Sequence, residues 1–308
     1  MRFHAPGHPG YRLPSAIIVN FNAGALLADC IAALATQVHQ IVVVDNASTD
    51  NSVTILVATM LATEQLCVIH NQRNLGFAAA CNIGIENTTG DFLLFLNPDC
   101  VVAPDAVAQL LAALETDPCA GMAGGLLLNP DGTEQGGGRR AVPTPWRALV
   151  RAFGLYRLAR WWPGLFFDFH LHKQPLPERP IEVEAISGAF MLVRRSAIKS
   201  VGPWDEGYFL HCEDLDWCMR FRRNGWRILF VPSARATHEL GTCSRSRPWF
   251  VEWHKHRGML RFYRKFFRDD YPGPLFWLVG AGVWLRFAAI SVAIGVRRCA
   301  RRVRGADI

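Results

Sequence analysis

Basic residues are scarce in the first 138 positions, which hold three Lys/Arg against twelve Asp/Glu. A half-chain of that charge repels a phosphate backbone, which argues against nucleic acid as a partner. No G-x-G-x-x-G follows the first apolar run, and no G-x-x-x-x-G-K-[ST] occurs anywhere. Dinucleotide dehydrogenases and P-loop NTPases therefore lose their main signature. The nine cysteines show no metal-binding spacing and most fall within apolar segments, the pattern of reduced, buried thiols in a cytosolic protein. The first fifteen residues contain three prolines and no apolar core, so no secretory signal is expected there. Nor is there an unbroken apolar run of the ~20 residues needed to span a bilayer. From Leu275 to Val296 the tail is apolar except for Arg286, which divides it into two shorter runs.

What is present is a regular alternation. AIIVNFN, IVVVDN, LCVIHN, DFLLFLNPD and GMAGGLLL are short, apolar and β-rich. ALLADCIAALATQ, STDNSVTILVATML, AAACNIGIENT and PDAVAQLLAALE, lying between them, have helical period. Apolar strands separated by helices predict a parallel, doubly wound α/β layer covered on both faces. Later, EAISGAFMLVRRSAI reads as a strand entering a helix, with Gly188 permitting close backbone approach, and RILFVPSA reads as a further strand.

The strands end on polar residues: Asn20 and Asn22, Asp45-Asn46, Asn71 with Arg73 and Asn74, and Asn97 with Asp99. In an open parallel sheet, ligands bind beyond the carboxyl ends of the strands, so these side chains would line one crevice. Asn and Asp also start turns and cap helices, as Ser48-Thr49-Asp50 is expected to do. Asp99 is a candidate hard ligand for Mg²⁺ or Mn²⁺ beside a diphosphate, and His238, after the last strand, a candidate second ligand. HCEDLDWCMR sets Glu213, Asp214 and Asp216 at the start of a predicted helix that closes at Asn224-Gly225. Carboxylates suit a first helical turn in any case. Three acids in four positions exceed what a cap needs, and Asp214 is the candidate general base, with Glu213 beside it.

Charge is distributed unevenly in the remainder. Residues 139–179 carry eight Lys/Arg against two Asp/Glu, and residues 244–308 carry fourteen against four. In the first of these, Arg147, Arg151, Arg157 and Arg160 alternate with Trp146, Phe153, Tyr156, Trp161 and Trp162. That mixture suits a membrane interface or a nucleic-acid strand, and equally a packed amphipathic helix with a solvated basic face. The tail reads as an interfacial helix or shallow hairpin, with a true span or packing on the protein itself as alternatives. The expected divisions are an extension at 1–14, a nucleotide-binding half at 15–138, the insert at 139–180, an acceptor and catalytic half at 181–250, and the helical tail at 251–308.

Taken in order, VDNASTDNS, N-x-x-N-L-G-F-A-A-A-C-N-I-G-I, LNPDC, SGAFMLVRR and WDEGYFLHCEDLDWCMRFRRNGW…VPSARATH resemble glycosyltransferase family 2, particularly its bacterial rhamnosyltransferase-like members. The resemblance covers roughly residues 15–265. It implies a GT-A-type fold, in which Asn20, Asn22, Asp45 and Asn46 match positions contacting the base and ribose. Arg73, Asn74, Gly76 and Phe77 would lie along the donor nucleotide. Asn97-Pro98-Asp99 stands in place of the family's D-x-D, so Asn97 would face the donor and Asp99 would hold the metal. Asp214 matches the catalytic base, Gly188 and Trp217 the acceptor pocket, and His238 a metal-coordinating histidine. Asn97 departs from the pattern and leaves one carboxylate at the metal.

The implied activity is inverting, metal-dependent transfer of a sugar, L-rhamnose from dTDP-L-rhamnose, using Mg²⁺ or Mn²⁺. The expected acceptor is a saccharide on a polyprenyl diphosphate, and the expected location is the cytoplasmic face of a bacterial inner membrane, peripheral or monotopic, because the basic segments suit anionic headgroups. No nucleic-acid partner is expected. Two other readings stand beside this one: a sugar-1-phosphate nucleotidyltransferase, and a non-catalytic basic membrane- or nucleic-acid-binding module.

Overall fold

The computed structural model describes residues 13–59, 65–152, 154–166, 169, 171–239, 247–271 and 273–305. Most of the expected N-terminal extension, and the run 240–246 after His238, lie outside the described residues. The first half alternates as its pattern predicts: β1 (Ser15–Asn20), α1 (Leu26–Leu34), β2 (Gln40–Asp45), α2 (Ser52–Thr59), β3 (Leu66–His70), α3 (Phe77–Glu86) and β4 (Phe92–Leu96). A three-residue strand that the pattern does not reveal, β5 (Cys100–Val102), precedes α4 (Ala106–Thr116) and β6 (Ala120–Leu128). Then come β7 (Arg139–Arg140), α5 (Pro145–Ala152), β8 (Ile181–Glu182), β9 (Ala185–Ile186), β10 (Phe190–Arg194) and α6 (Arg195–Val201). The chain ends with α7 (Glu213–Arg223), β11 (Arg227–His238), α8 (Pro248–Phe267) and α9 (Gly273–Gly305).

These helices form because their apolar residues recur on one face. In α1 the buried positions are Leu27, Cys30, Ile31 and Leu34, and in α4 they are Ala106, Val107, Leu110, Leu111 and Leu114. Both stripes join the core with Ile18, Val43, Leu94 and Leu192 from the strands. Full burial of each Leu, Ile or Val among them contributes about 1.5–3 kcal/mol. α3 lies close on β1 because Gly84 has no side chain: a Cβ there would sit 2.3 Å from Ile17 Cγ2.

The main sheet runs β3-β2-β1-β4-β10-β6-β11-β5, with β8 also on β11. β3, β2, β1 and β4 are parallel, as predicted. Beyond β4 the sheet is mixed. β10 inserts between β4 and β6, antiparallel to both, while β6 and β11 run parallel. β11 shifts register between Val231 and Arg235, across Pro232, a residue with no N–H for the ladder.

The chain groups into two compact units. The first comprises residues 1–142, 170–207 and 214–243 and contains the sheet. The second comprises 143–169, 208–213 and 244–308. By sequence the second carries 18 Lys/Arg against six Asp/Glu, so the two basic-aromatic segments share one unit. Within it, α5 buries Val150, while Trp161, Trp162 and Leu165 are exposed. α8 and α9 pair antiparallel. Trp249 Nε1 donates to Ser291 O at 3.2 Å, and the Trp253 ring lies 5.2 Å from Trp284 and 5.7 Å from Phe287.

Arg286 does not interrupt the tail. α9 is one continuous helix, and its stretch Gly273–Cys299 is long and apolar enough to cross a membrane by length and composition. The Arg286 guanidinium lies 3.4 Å from His256 Nε2 on α8, which gives the lone charge a polar neighbour without a break in the helix.

Candidate active site

Parallel pairing brings polar strand ends to one edge. Asn20 is level with Asp45, and Asp45 with His70. Asp45 Oδ1 accepts from Asn20 Nδ2 at 2.8 Å and from Ser48 Oγ at 2.5 Å, and His70 Nδ1 lies 3.6 Å from Oδ2. Asn20 has no exposed surface, so it orients Asp45 and offers nothing to a donor directly. Asn46, also buried, donates to Gly76 O at 3.1 Å and accepts from Asn71 Nδ2 at 2.9 Å and Leu75 N at 3.2 Å. It therefore shapes the 71–76 loop from behind. Asn22, with φ 55°, accepts from Thr49 N at 2.7 Å and secures the 48–50 loop. Arg73 is exposed, and Asn74 Oδ1 accepts from Gly76 N at 2.9 Å. Gly76, with φ 89°, leads into α3, where the Phe77 ring meets Trp204 edge-on at 5.7 Å.

His238 reaches Asp99 through strand register. The last half of β11 alternates exposed and buried residues and places His238 on the buried face with Ala234 and Ala236. Antiparallel pairing then sets His238 opposite Cys100. The result is an Nε2 to Asp99 Oδ1 distance of 3.1 Å between two side chains that are each more than nine-tenths buried. Gln135, which sequence reasoning missed, completes the arrangement. Its Oε1 lies 2.6 Å from His238 Nδ1, while its Nε2 donates to His238 O at 3.1 Å and Asn129 Oδ1 at 3.2 Å. The Gln135 amide oxygen holds a proton on Nδ1 and turns Nε2 toward Asp99. Asn97 Nδ2 lies 3.4 Å from that Nε2.

This donor set fits a hard divalent cation. One carboxylate oxygen and one imidazole lone pair converge, with the imidazole oriented from behind. Cys100 also lies within the cluster. Burial, and after it the charge of Asp99, pushes the Cys100 and Cys30 thiols well up. Thiol sulfur is a soft ligand, and Mg²⁺ and Mn²⁺ prefer oxygen.

Asp214 is the acid of its trio that reaches the surface. Asp216 is fully buried and pairs with Arg220 at 2.7 Å, whose guanidinium also donates to Pro203 O at 2.7 Å, and Glu213 is buried. Asp214 is partly exposed. Its Oδ1 accepts from Leu215 N at 2.7 Å, and its Oδ2 pairs with Arg140 and lies 3.4 Å from Gly188 N. Arg140 is a second residue that sequence reasoning missed. It sits on β7, which pairs with β9 just before Gly188.

The turn at 187–189 joins the two carboxylate loops. Gly188 N faces Asp214, and Ala189 O accepts from Asn97 N at 3.0 Å. Because β10 runs antiparallel to β4, its first residues meet the end of β4, with Phe190 opposite Leu96. Asp214 and Asp99 therefore flank one sheet edge. Trp217 is placed otherwise than expected. It is fully buried, its ring lies 4.1 Å from Trp204, and its Nε1 donates to Gly202 O at 2.9 Å. It supports the wall of the cleft and presents no surface to an acceptor. Asn82, in α3, is a third missed residue. It donates to Trp204 O at 3.0 Å and Glu206 Oε1 at 2.8 Å, and it accepts from Trp204 N at 3.0 Å.

Comparison with known proteins gives the family and the fold. The family model "Glycosyl transferase family 2" matches residues 15–202. The N-acetylglucosaminyl-diphospho-decaprenol L-rhamnosyltransferase of Mycobacterium tuberculosis is 27% identical over 300 residues, covering 93% of this chain and 95% of that protein. Rhamnosyltransferase WbbL of Escherichia coli is 28% identical over 158 residues, 48% of this chain and 52% of its own length. Among solved structures, the mannosyltransferase PcManGT from Pyrobaculum calidifontis, in complex with GDP-Man and Mn²⁺, superposes with TM-score 0.57 at 17% identity, over 96% of this chain and 79% of that one. GalNAc-T7 with UDP, GalNAc and Mn²⁺ gives TM-score 0.56 at 19% identity, over 75% of this chain and 44% of that one. At those identities the likeness is one of fold, and it is the GT-A-type fold that the motifs imply. The nucleotidyltransferase and non-catalytic readings fall away, because the chain belongs to glycosyl transferase family 2 and is a glycosyltransferase whose named relatives include rhamnosyltransferases.

Proposed function

We propose that this glycosyltransferase moves L-rhamnose from dTDP-L-rhamnose, with inversion, to a saccharide carried on a polyprenyl diphosphate. Support for donor and acceptor comes from the mycobacterial relative, whose name specifies L-rhamnose and a diphospho-decaprenol acceptor and which spans nearly the whole of this chain. The observation that carries the chemistry is the 187–189 turn, which sets Asp214 and the Asp99–His238 pair along one edge.

In this reading the donor nucleotide lies along the ends of β1, β2 and β3, with its diphosphate toward Asp99 and His238. Those two side chains would hold Mg²⁺ or Mn²⁺, which when bound neutralises charge on the departing diphosphate. Asp214 takes the proton of an acceptor hydroxyl. The acceptor oxygen then bonds to the sugar C1 as the C1–O bond to the diphosphate breaks, and that electron pair leaves with the nucleotide. Arg140 and Gly188 N–H hold the Asp214 carboxylate in its orientation.

The reaction takes place at the cytoplasmic face of the inner membrane, where the α8–α9 pair docks on anionic lipid. The outer face of α9 exposes Leu278, Leu285, Val292 and Val296, and its end carries Arg297, Arg298, Arg301 and Arg302. A helix that is apolar all round needs cover on every side, and basic ends select negative headgroups. Docking is flat. α8 runs alongside α9 with Lys255, Arg257, Arg261, Arg264 and Lys265, and each would cost about 2.5–3.5 kcal/mol at the centre of a bilayer.

Replacing Asp214 with Asn tests the reading. Transfer from dTDP-rhamnose should fall by roughly 10²–10⁴-fold, the usual contribution of a general base. Stabilisation of the protein by dTDP with Mn²⁺ in a thermal-shift assay should persist. Full transfer activity in Asp214→Asn would refute the assignment.

A further inference from the structure

The two residues before α7 are both left-handed. His211 has φ 68° and Cys212 has φ 71°, and neither is glycine. Such conformations are sparsely populated and persist only where the surroundings over-determine them. The surroundings here are α8. Gly258 packs directly on the turn: a Cβ at that position would sit 2.8 Å from His211 O and 3.4 Å from Cys212 Cβ. The obstacle is a backbone carbonyl, which cannot swing aside as a side chain would. Arg261 lies over the Tyr208 ring at 5.3 Å, and Phe209 meets Phe250 at 5.5 Å and His254 at 4.5 Å. Four residues spaced along one face of α8 thus grip the segment 208–212.

We infer that α8 is the positioning element for the catalytic base, with Gly258 as its contact point: by clamping the strained His211-Cys212 turn it sets where α7 begins and hence where the Asp214 carboxylate points. This rests on the reading of Asp214 as the base. A displacement of about 1 Å in a reacting group can cost roughly 10²-fold in rate, so the clamp bears on turnover. The donor-binding residues lie on other elements, so donor affinity should be unaffected.

The test is steady-state kinetics on Gly258→Ala, with melting curves to establish that it folds. Its kcat should fall roughly 10- to 100-fold, with donor KM and the dTDP-dependent thermal shift unchanged. His211→Gly in the same chain should restore most of the lost kcat, because glycine lets the carbonyl move while Asp214 stays in place. Arg261→Gln, at an exposed position, is the second variant and should lower kcat with the same unchanged KM even if Gly258→Ala fails to fold. Normal kcat in a folded Gly258→Ala or, where that chain does not fold, in Arg261→Gln overturns the clamp, provided Asp214→Asn is inactive. An active Asp214→Asn would instead overturn the base assignment on which the clamp rests.

Discussion

Gln135→Ala is the sharpest probe of the proposed cation site, because it leaves Asp99 and His238 in place and removes only what orients the imidazole. The side chain is 3% exposed, and its Oε1 lies 2.6 Å from His238 Nδ1. Truncation leaves a buried imidazole N–H without an acceptor, a loss of about 1–3 kcal/mol in stability. It also frees the ring to rotate or change tautomer. Loss of such an outer partner typically lowers metal affinity 10- to 100-fold, about 1.4–2.7 kcal/mol. The assay is Mn²⁺ titration by calorimetry in the presence of dTDP, with the melting temperature of the metal-free protein recorded in parallel. Gln135→Glu separates the two effects. Its carboxylate still accepts from Nδ1, so Mn²⁺ affinity should stay nearer that of the parent. Its second oxygen faces His238 O and Asn129 Oδ1, both acceptors, so stability should still drop. Unchanged Mn²⁺ affinity in Gln135→Ala would show that the imidazole does not ligate through Nε2.

Two further outcomes follow from the second unit. Burial, and then the neighbouring charge of Arg286 on α9 and Lys255 on its own helix, lowers the pKa of His256 below its ordinary value of 6.5, against the opposing pull of Glu252. The unfolded chain therefore takes up this proton at higher pH than the folded one, so the stability it contributes is complete above about 6.5 and is lost as pH falls below it. Melting temperatures at pH 8, 6.5 and 5 should fall more steeply for the parent than for His256→Asn, and equal slopes would contradict this account. Leu278→Glu with Leu285→Glu removes two outer-face side chains of α9, each worth up to about 1.5–3 kcal/mol when buried. Flotation with vesicles rich in anionic lipid should drop at least tenfold, and undiminished flotation would rule out α9 as the docking face.

Much of the site was legible along the chain, and the reasons are local. The alternation of β-rich runs with helical ones followed from hydrophobic period, because each element must bury one face whatever its neighbours are. Asp45, Asp99 and Asp214 stood out because carboxylates follow directly on apolar runs or crowd one helical turn. Arg286 misled: a single charge interrupts an apolar run in composition but not in backbone geometry, so α9 continues through it. Trp217 misled for a related reason, since an indole beside a catalytic acid can line a cleft or support it from behind, and only packing against Trp204 distinguishes the two.

By themselves, the residues determined the parallel half of the sheet, the polar edge where its strands end, the candidate acids and the basic character of the later segments. Each depends on neighbours a few positions away. Tertiary structure alone decided that β10 runs backward between β4 and β6, how strand register brings the expected pair of His238 and Asp99 to 3.1 Å, and that Gln135 and Arg140 belong to the site. Arg140 lies 74 positions from Asp214 in the chain, and Gln135 lies 103 from His238. They meet because strands pair in a particular register, and register is set by how whole faces pack, a property no local pattern carries.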